Sequence, residues 1–212
     1  SGGTDNDWDI GDVYNIPDDL KQSDLATSSV YMTPKFFAPV YTTADTLYCA
    51  DTNNTIRSTT NPLNGGSAWS AQTVVDTDAN DITGLLSSGN VLYITKEDRP
   101  FYLNSTGAVK VLTEQTTAIG SSTGGVNSYE WEGRQYFPYG AGGLLEYDAG
   151  SFLWLNPSQY GTNIGEWDGR IIGLAGDEEY LFACVNGTNT IGVLSGKYQT
   201  INGSTDFNWH TY

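Results

Sequence analysis

The chain has 212 residues, with 25 acidic against 9 basic side chains and a formal net charge of −16. A surface this acidic repels phosphate backbones and anionic headgroups, so nucleic acid is not an expected partner. No apolar run approaches the roughly 20 residues a membrane helix needs, so no membrane insertion is expected either.

Charged residues are only 16% of the chain, and 14 Tyr, 6 Trp and 7 Phe supply much of the apolar content. Aromatic and β-branched residues among many Ser, Thr, Asn and Gly favour strands joined by turns, and the expected fold class is all-β. Residues 1–35 read as an acidic N-terminal arm or linker, carrying Asp5, Asp7, Asp9, Asp12, Asp18, Asp19 and Asp24. Within it, Ile10, Val13, Tyr14 and Ile16 could add one further strand.

From there on the chain repeats itself. Four segments align without gaps: 37–49, 82–94, 126–138 and 171–183, with Leu47, Leu92, Tyr136 and Leu181 at one shared position. Each reads as a hairpin, turning at Thr43-Ala44-Asp45, Ser88-Gly89-Asn90, Glu132-Gly133-Arg134 and Asp177-Glu178-Glu179. A third strand follows each hairpin at 55–57, 101–103, 144–147 and 190–193. A fourth is expected around Trp69, Val109 to Leu112, Phe152 to Leu155, and Phe207 to Trp209. Four strands in about 45 residues is the arithmetic of a propeller blade. The expected domain is a propeller over 36–212, with repeats at about 36–80, 81–124, 125–169 and 170–212.

By these motifs the chain resembles the β-propeller superfamily. Gly89-Asn-Val-Leu-Tyr-Ile-Thr running on to Phe101-Tyr-Leu-Asn-Ser-Thr-Gly107 is similar to the divergent propellers of tailed-phage virion proteins and secreted bacterial proteins. The Trp-Asp and Gly-His markers of WD repeats and the paired glycines of kelch repeats do not recur at a fixed position of the four segments. The resemblance speaks to fold and assigns no residue a role.

Several patterns invite a chemical reading. Gly120-Ser121-Ser122-Thr123-Gly124 matches the nucleophile elbow G-x-S-x-G, but it falls in a connection between repeats where that motif needs a strand before and a helix after. The single histidine, His210, has no second ligand or nucleophile beside it in sequence. Glu130-Trp131-Glu132-Gly133 and Glu166-Trp167-Asp168-Gly169 are two similar contexts 36 residues apart. They are candidates for ligand contact, with Trp131 and Trp167 flanked by Glu130, Glu132, Glu166 and Asp168, or else a repeated loop-shaping turn.

Asp76, Asp78, Asn80 and Asp81 place oxygens at close intervals, as do Asp5, Asp7 and Asp9, and calcium is the cation such stretches would take. No other cofactor is expected. Cys49 and Cys184 sit at opposite strand parity in the first and last repeats, a placement that would let a disulfide clasp a closed ring.

The expected function is a non-catalytic assembly or recognition module, extracellular or part of a virion. It would bind protein subunits, including copies of itself, through propeller loops and the arm. A carbohydrate-binding propeller with loop tryptophans stacking on a glycan is the alternative, and a glycosidase-like enzyme ranks behind it.

Overall fold

The computed structural model of the chain describes residues 34–41, 44–62, 68–77, 80–112, 123–139, 143–155, 170–186 and 191–211. The acidic arm lies outside the described residues. Among the described residues sixteen strands form four sheets. The first holds β1 (Pro34–Val40), β2 (Thr46–Asp51), β3 (Thr55–Thr59) and β4 (Thr73–Val74). The second holds β5 (Ile82–Ser88), β6 (Val91–Lys96), β7 (Pro100–Leu103) and β8 (Val109–Val111). The third holds β9 (Tyr129–Trp131), β10 (Arg134–Tyr139), β11 (Gly143–Asp148) and β12 (Ser151–Trp154). The fourth holds β13 (Arg170–Gly176), β14 (Leu181–Asn186), β15 (Ile191–Ile201) and β16 (Ser204–Thr211).

Every sheet is a simple antiparallel meander in chain order. The first strands of successive sheets lie against one another, β1 with β5, β5 with β9 and β9 with β13. The sheets therefore stack around their first strands, face against face, in a four-bladed propeller-like fold.

Alternation along the second strands sorts side chains between the two faces of each blade. Blades 1 and 2 share a core of Ala38, Val40, Ala50 and Ile56 with Ile82, Leu92, Ile94 and Phe101. Blades 2 and 3 join through Tyr93, Phe137, Tyr139 and Leu145. Blades 3 and 4 bury Trp131, Tyr136, Leu144 and Leu155 against Leu181, Ala183, Val185, Leu194 and Phe207. Leu92 and Leu181 thus face the preceding blade, but Tyr136 faces the following one and Phe137 takes the backward position. The two-residue turn Glu132-Gly133 pairs Arg134 with Trp131, just as Gly89-Asn90 pairs Val91 with Ser88. Anchored on these turns, Leu92 matches Gln135, one residue earlier than the gapless alignment has it.

Two further expectations shift. Leu47 is only half-buried, because the face it occupies on blade 1 meets no other sheet among the described residues. Trp69 lies before the fourth strand rather than in it, covering that same face with Cys49 beneath.

Candidate functional site

An open groove of about 560 Å3 runs between blades 3 and 4, lined by Trp131, Glu132, Glu178, Glu179 and the stretch Lys197 to Ile201. Local geometry builds each wall. Glu132 and Gly133 both have positive φ (50° and 76°), the backbone of a type I′ hairpin turn, which sets Glu132 at the rim. On the opposite wall Asp177 Oδ1 accepts the backbone N–H of Glu179 and of Tyr180, each at 2.7 Å. Those two bonds hold the Asp177 carboxyl below its ordinary value and fix the turn that presents Glu178 and Glu179.

Lys197 Nζ pairs with Glu179 and donates to the Tyr180 hydroxyl at 2.9 Å. The Glu179 hydrogen bond raises the lysine, and the same bond lowers Glu179. Glu132 and Glu178 are exposed.

Behind the groove lies a buried charge cluster. Tyr198 donates to Glu146 Oε1 at 2.6 Å and carries the Arg134 guanidinium over its ring at 4.6 Å. Arg134 Nε reaches Asp148 at 3.0 Å and Glu146 at 3.9 Å. Burial alone would lower the guanidinium, but the Asp148 hydrogen bond and the Glu146 charge outweigh it and hold it above its ordinary value. Glu146 is 4% exposed, and the Tyr136 hydroxyl is buried beside its carboxylate. Burial first, and then the Glu146 charge, push the Tyr136 phenol well above its usual range.

The structure divides the expected ligand residues. Trp131 lines the groove but is only 6% exposed, and its indole N–H donates to the Asp177 carbonyl at 2.7 Å. Its ring lies against the backbone of Gly176, where an added Cβ would come within 2.3 Å of it. Little of its face is left for stacking. Glu130, one position away in β9, belongs to the opposite face, where its charge reaches Tyr93 of blade 2. Glu166, Trp167 and Asp168 lie outside the described residues.

Glu178, Glu179, Lys197, Tyr198, Arg134 and Glu146 were not singled out as site residues from the sequence. Glu146 did leave a signal there: it alternates with Leu144 along β11, so it occupies a core position.

The acidic stretch of blade 1 is spread among cations. Asp76 meets Arg99 at 3.2 Å and Asp81 meets Lys35 at 3.3 Å. Among the described residues no three acidic, His or Cys side chains gather to hold a metal. Asp78, Asp5, Asp7 and Asp9 lie outside them, and Asn80 is half-buried between Asp76 and Asp81 in the chain. In the elbow motif, Gly124 sits in a turn, accepting from the Thr83 hydroxyl and packed against the Glu97 carbonyl. Ser121 and Ser122 are outside the described residues. His210 lies exposed on β16, cross-strand from Ser195.

Both cysteines are free thiols, so the expected clasp is not formed. Cys49 is sealed under Trp69 on blade 1, while Cys184 is exposed on blade 4, and no buried cluster among the described residues joins the two faces. Burial, reinforced by Asp51, pushes the Cys49 thiol up to about 12 from 9.0. Thiol labelling of the native chain at mildly alkaline pH should therefore modify Cys184 alone, and labelling after denaturation should modify both. Unfolded Cys49 ionises first, so its contribution to stability is complete below pH 9.0 and is lost as the pH climbs towards 12.

No protein-family model matches the chain, and no curated protein matches it. Solved structures do. The extracellular domain of a hybrid two component system of B. thetaiotaomicron is similar at a TM-score of 0.54 and 15% identity, over 85% of this chain and 23% of that one. The computationally designed Ika4 protein gives a TM-score of 0.49 at 12% identity, over 78% and 92%. The N-terminal domain of Nup159 gives 0.43 at 10%, over 82% and 47%. At these identities the likeness concerns the fold alone.

Proposed function

We propose that this chain is a non-catalytic recognition and assembly module, extracellular or part of a virion like the divergent phage and bacterial propellers it resembles. In this reading the groove between blades 3 and 4 takes a basic segment of a protein partner. The observation that carries it is the pair of exposed carboxylates on facing walls, Glu132 and Glu178, above a floor of Tyr198 and Lys197. A lysine or arginine entering there meets both carboxylates, and the net charge of −16 draws it in. The shallow exposure of Trp131 makes the glycan reading the weaker of the two.

An oligolysine peptide is a direct probe. Binding should weaken as salt rises. Glu132→Gln with Glu178→Gln should weaken it by about 2- to 30-fold, at 0.2–1 kcal/mol per exposed pair. The charge-matched control Asp45→Asn with Asp206→Asn should not. Equal losses in both variants would reduce the effect to overall charge and overturn the groove as the site. Salt-independent binding of a neutral oligosaccharide, lost in the Glu132 and Glu178 variant, would replace the protein partner with a glycan.

A further inference from the structure

Three junctions between blades obey one rule. The forward face of each blade, marked by Tyr48 and Ala50, then Tyr93, then Tyr136, receives the backward face of the next. That backward face is marked by Leu92 and Ile94, then Phe137, then Leu181 and Ala183. Two faces are left over. Blade 1 keeps its backward face, with Phe37 and Pro39 cross-strand from Cys49 and Leu47. Phe37 is 52% exposed there, resting on Trp69 with ring centroids 6.3 Å apart. Blade 4 keeps its forward face, where Ala175 pairs with Phe182 and Cys184 with Val193. Ala175, Cys184 and Val193 are all exposed, Val193 at 38%. The ends are the two halves of one more junction, and no buried cluster among the described residues brings them together within the chain.

We propose that these two faces pair between two copies of this chain, blade 4 of each copy on blade 1 of the other, closing a single ring of eight blades. The contact is heterologous, forward face on backward face, so it must either close or run on as a filament. Two copies supply eight blades, at the top of the range of about four to eight that propellers span. A third copy would exceed that range, which favours closure at two. The inference rests on the reading of the chain as an assembly module and names the chain itself as a partner. Electrostatics separates it from groove recognition. Copies that each carry −16 repel, so salt should strengthen their association while it weakens binding of a basic segment.

Sedimentation of the full chain is expected to give twice the 23.0 kDa mass of one copy, with the dimer favoured at higher salt. Val193→Asp and Phe37→Asp, both at exposed positions, should each leave circular dichroism unchanged. Each should weaken self-association by about 100-fold, roughly tenfold at each of the two junctions. Mixed together, the two variants should regain part of the association, because one junction then pairs two intact faces. A wild-type chain that sediments as a monomer at every concentration and salt would overturn the proposal. So would a dimer broken by Val193→Asp but untouched by Phe37→Asp, which would mean like faces meeting, or one indifferent to both. The Glu132 and Glu178 variant leaves these faces intact, so its result bears on the groove alone.

Discussion

Leu181→Ala is expected to destabilise the chain by about 2–5 kcal/mol, the range for a buried leucine whose surroundings cannot collapse into the space it leaves. Leu181 is fully buried in the largest buried cluster among the described residues, where Trp131 and Tyr136 of blade 3 meet Ala183, Leu194, Phe207 and Trp209 of blade 4. Rings set the shape of that core. Phe207 stands edge-on to Tyr198 at 5.1 Å and to Trp209 at 5.0 Å, and the Trp209 indole is tied to the Leu155 carbonyl at 3.1 Å. Held on both sides, they cannot move inward to fill the cavity. Leu47→Ala, at the matching repeat position on the free face of blade 1, should cost clearly less, because Leu47 already meets solvent. Denaturant titrations of the two variants test the contrast, and equal losses would contradict it.

Arg57→Ala should cost about 3–5 kcal/mol by stranding a buried carboxylate. Asp51 is fully buried, and Arg57 Nε meets its Oδ2 at 2.6 Å while Gln72 donates to the same oxygen at 3.0 Å. Without the guanidinium the charge faces a low-dielectric surrounding with an amide beside it, which does not offset its desolvation. Arg57 also donates to the Ser70 carbonyl at 2.7 Å, so its loss removes one of the bonds that hold the segment carrying Trp69 over Cys49. Replacing both partners together, Arg57→Met with Asp51→Leu, should recover most of the loss, since the buried charge then disappears with its counter-ion. Chemical denaturation of the single and double variants measures this. A double variant as unstable as Arg57→Ala would place the cost in packing rather than in the stranded charge.

The all-β class and the four hairpins were legible because turn chemistry and strand alternation are local. Ser88-Gly89-Asn90 and Glu132-Gly133-Arg134 mark turns by residue type, and Leu, Tyr and Phe mark the strands beside them. The face a strand turns to the core was harder to read, because a one-residue slip reverses it while the apolar character stays the same. Tyr136 and Phe137 are both large, aromatic and fully buried, so composition cannot say which looks forward. The groove was half legible. Trp131 and Glu132 stood out as a motif, but the opposite wall comes from Glu178, Glu179 and the far end of β15, brought close only when blade 4 packs on blade 3. Trp131 itself misled: an aromatic beside acids reads as a platform for a ligand, yet its indole is spent on Asp177 and its ring on Gly176. Such uses depend on tertiary neighbours that no local pattern names.

The three large cores among the described residues each straddle two sheets. For a chain leaving the ribosome, one finished meander is therefore worth little: blade 1 has Ala50 and Ile56 ready but nothing to set them against until β6 and β7 have emerged. The smallest unit that shares such a core is a pair of blades, and each blade added completes the core begun by the one before. Blade 4 is well equipped to dock, since β15 and β16 are joined by Asn202-Gly203 and pair along eight successive positions. Among the described hairpins this one gains the longest ladder, and its docking seals the largest of the cores.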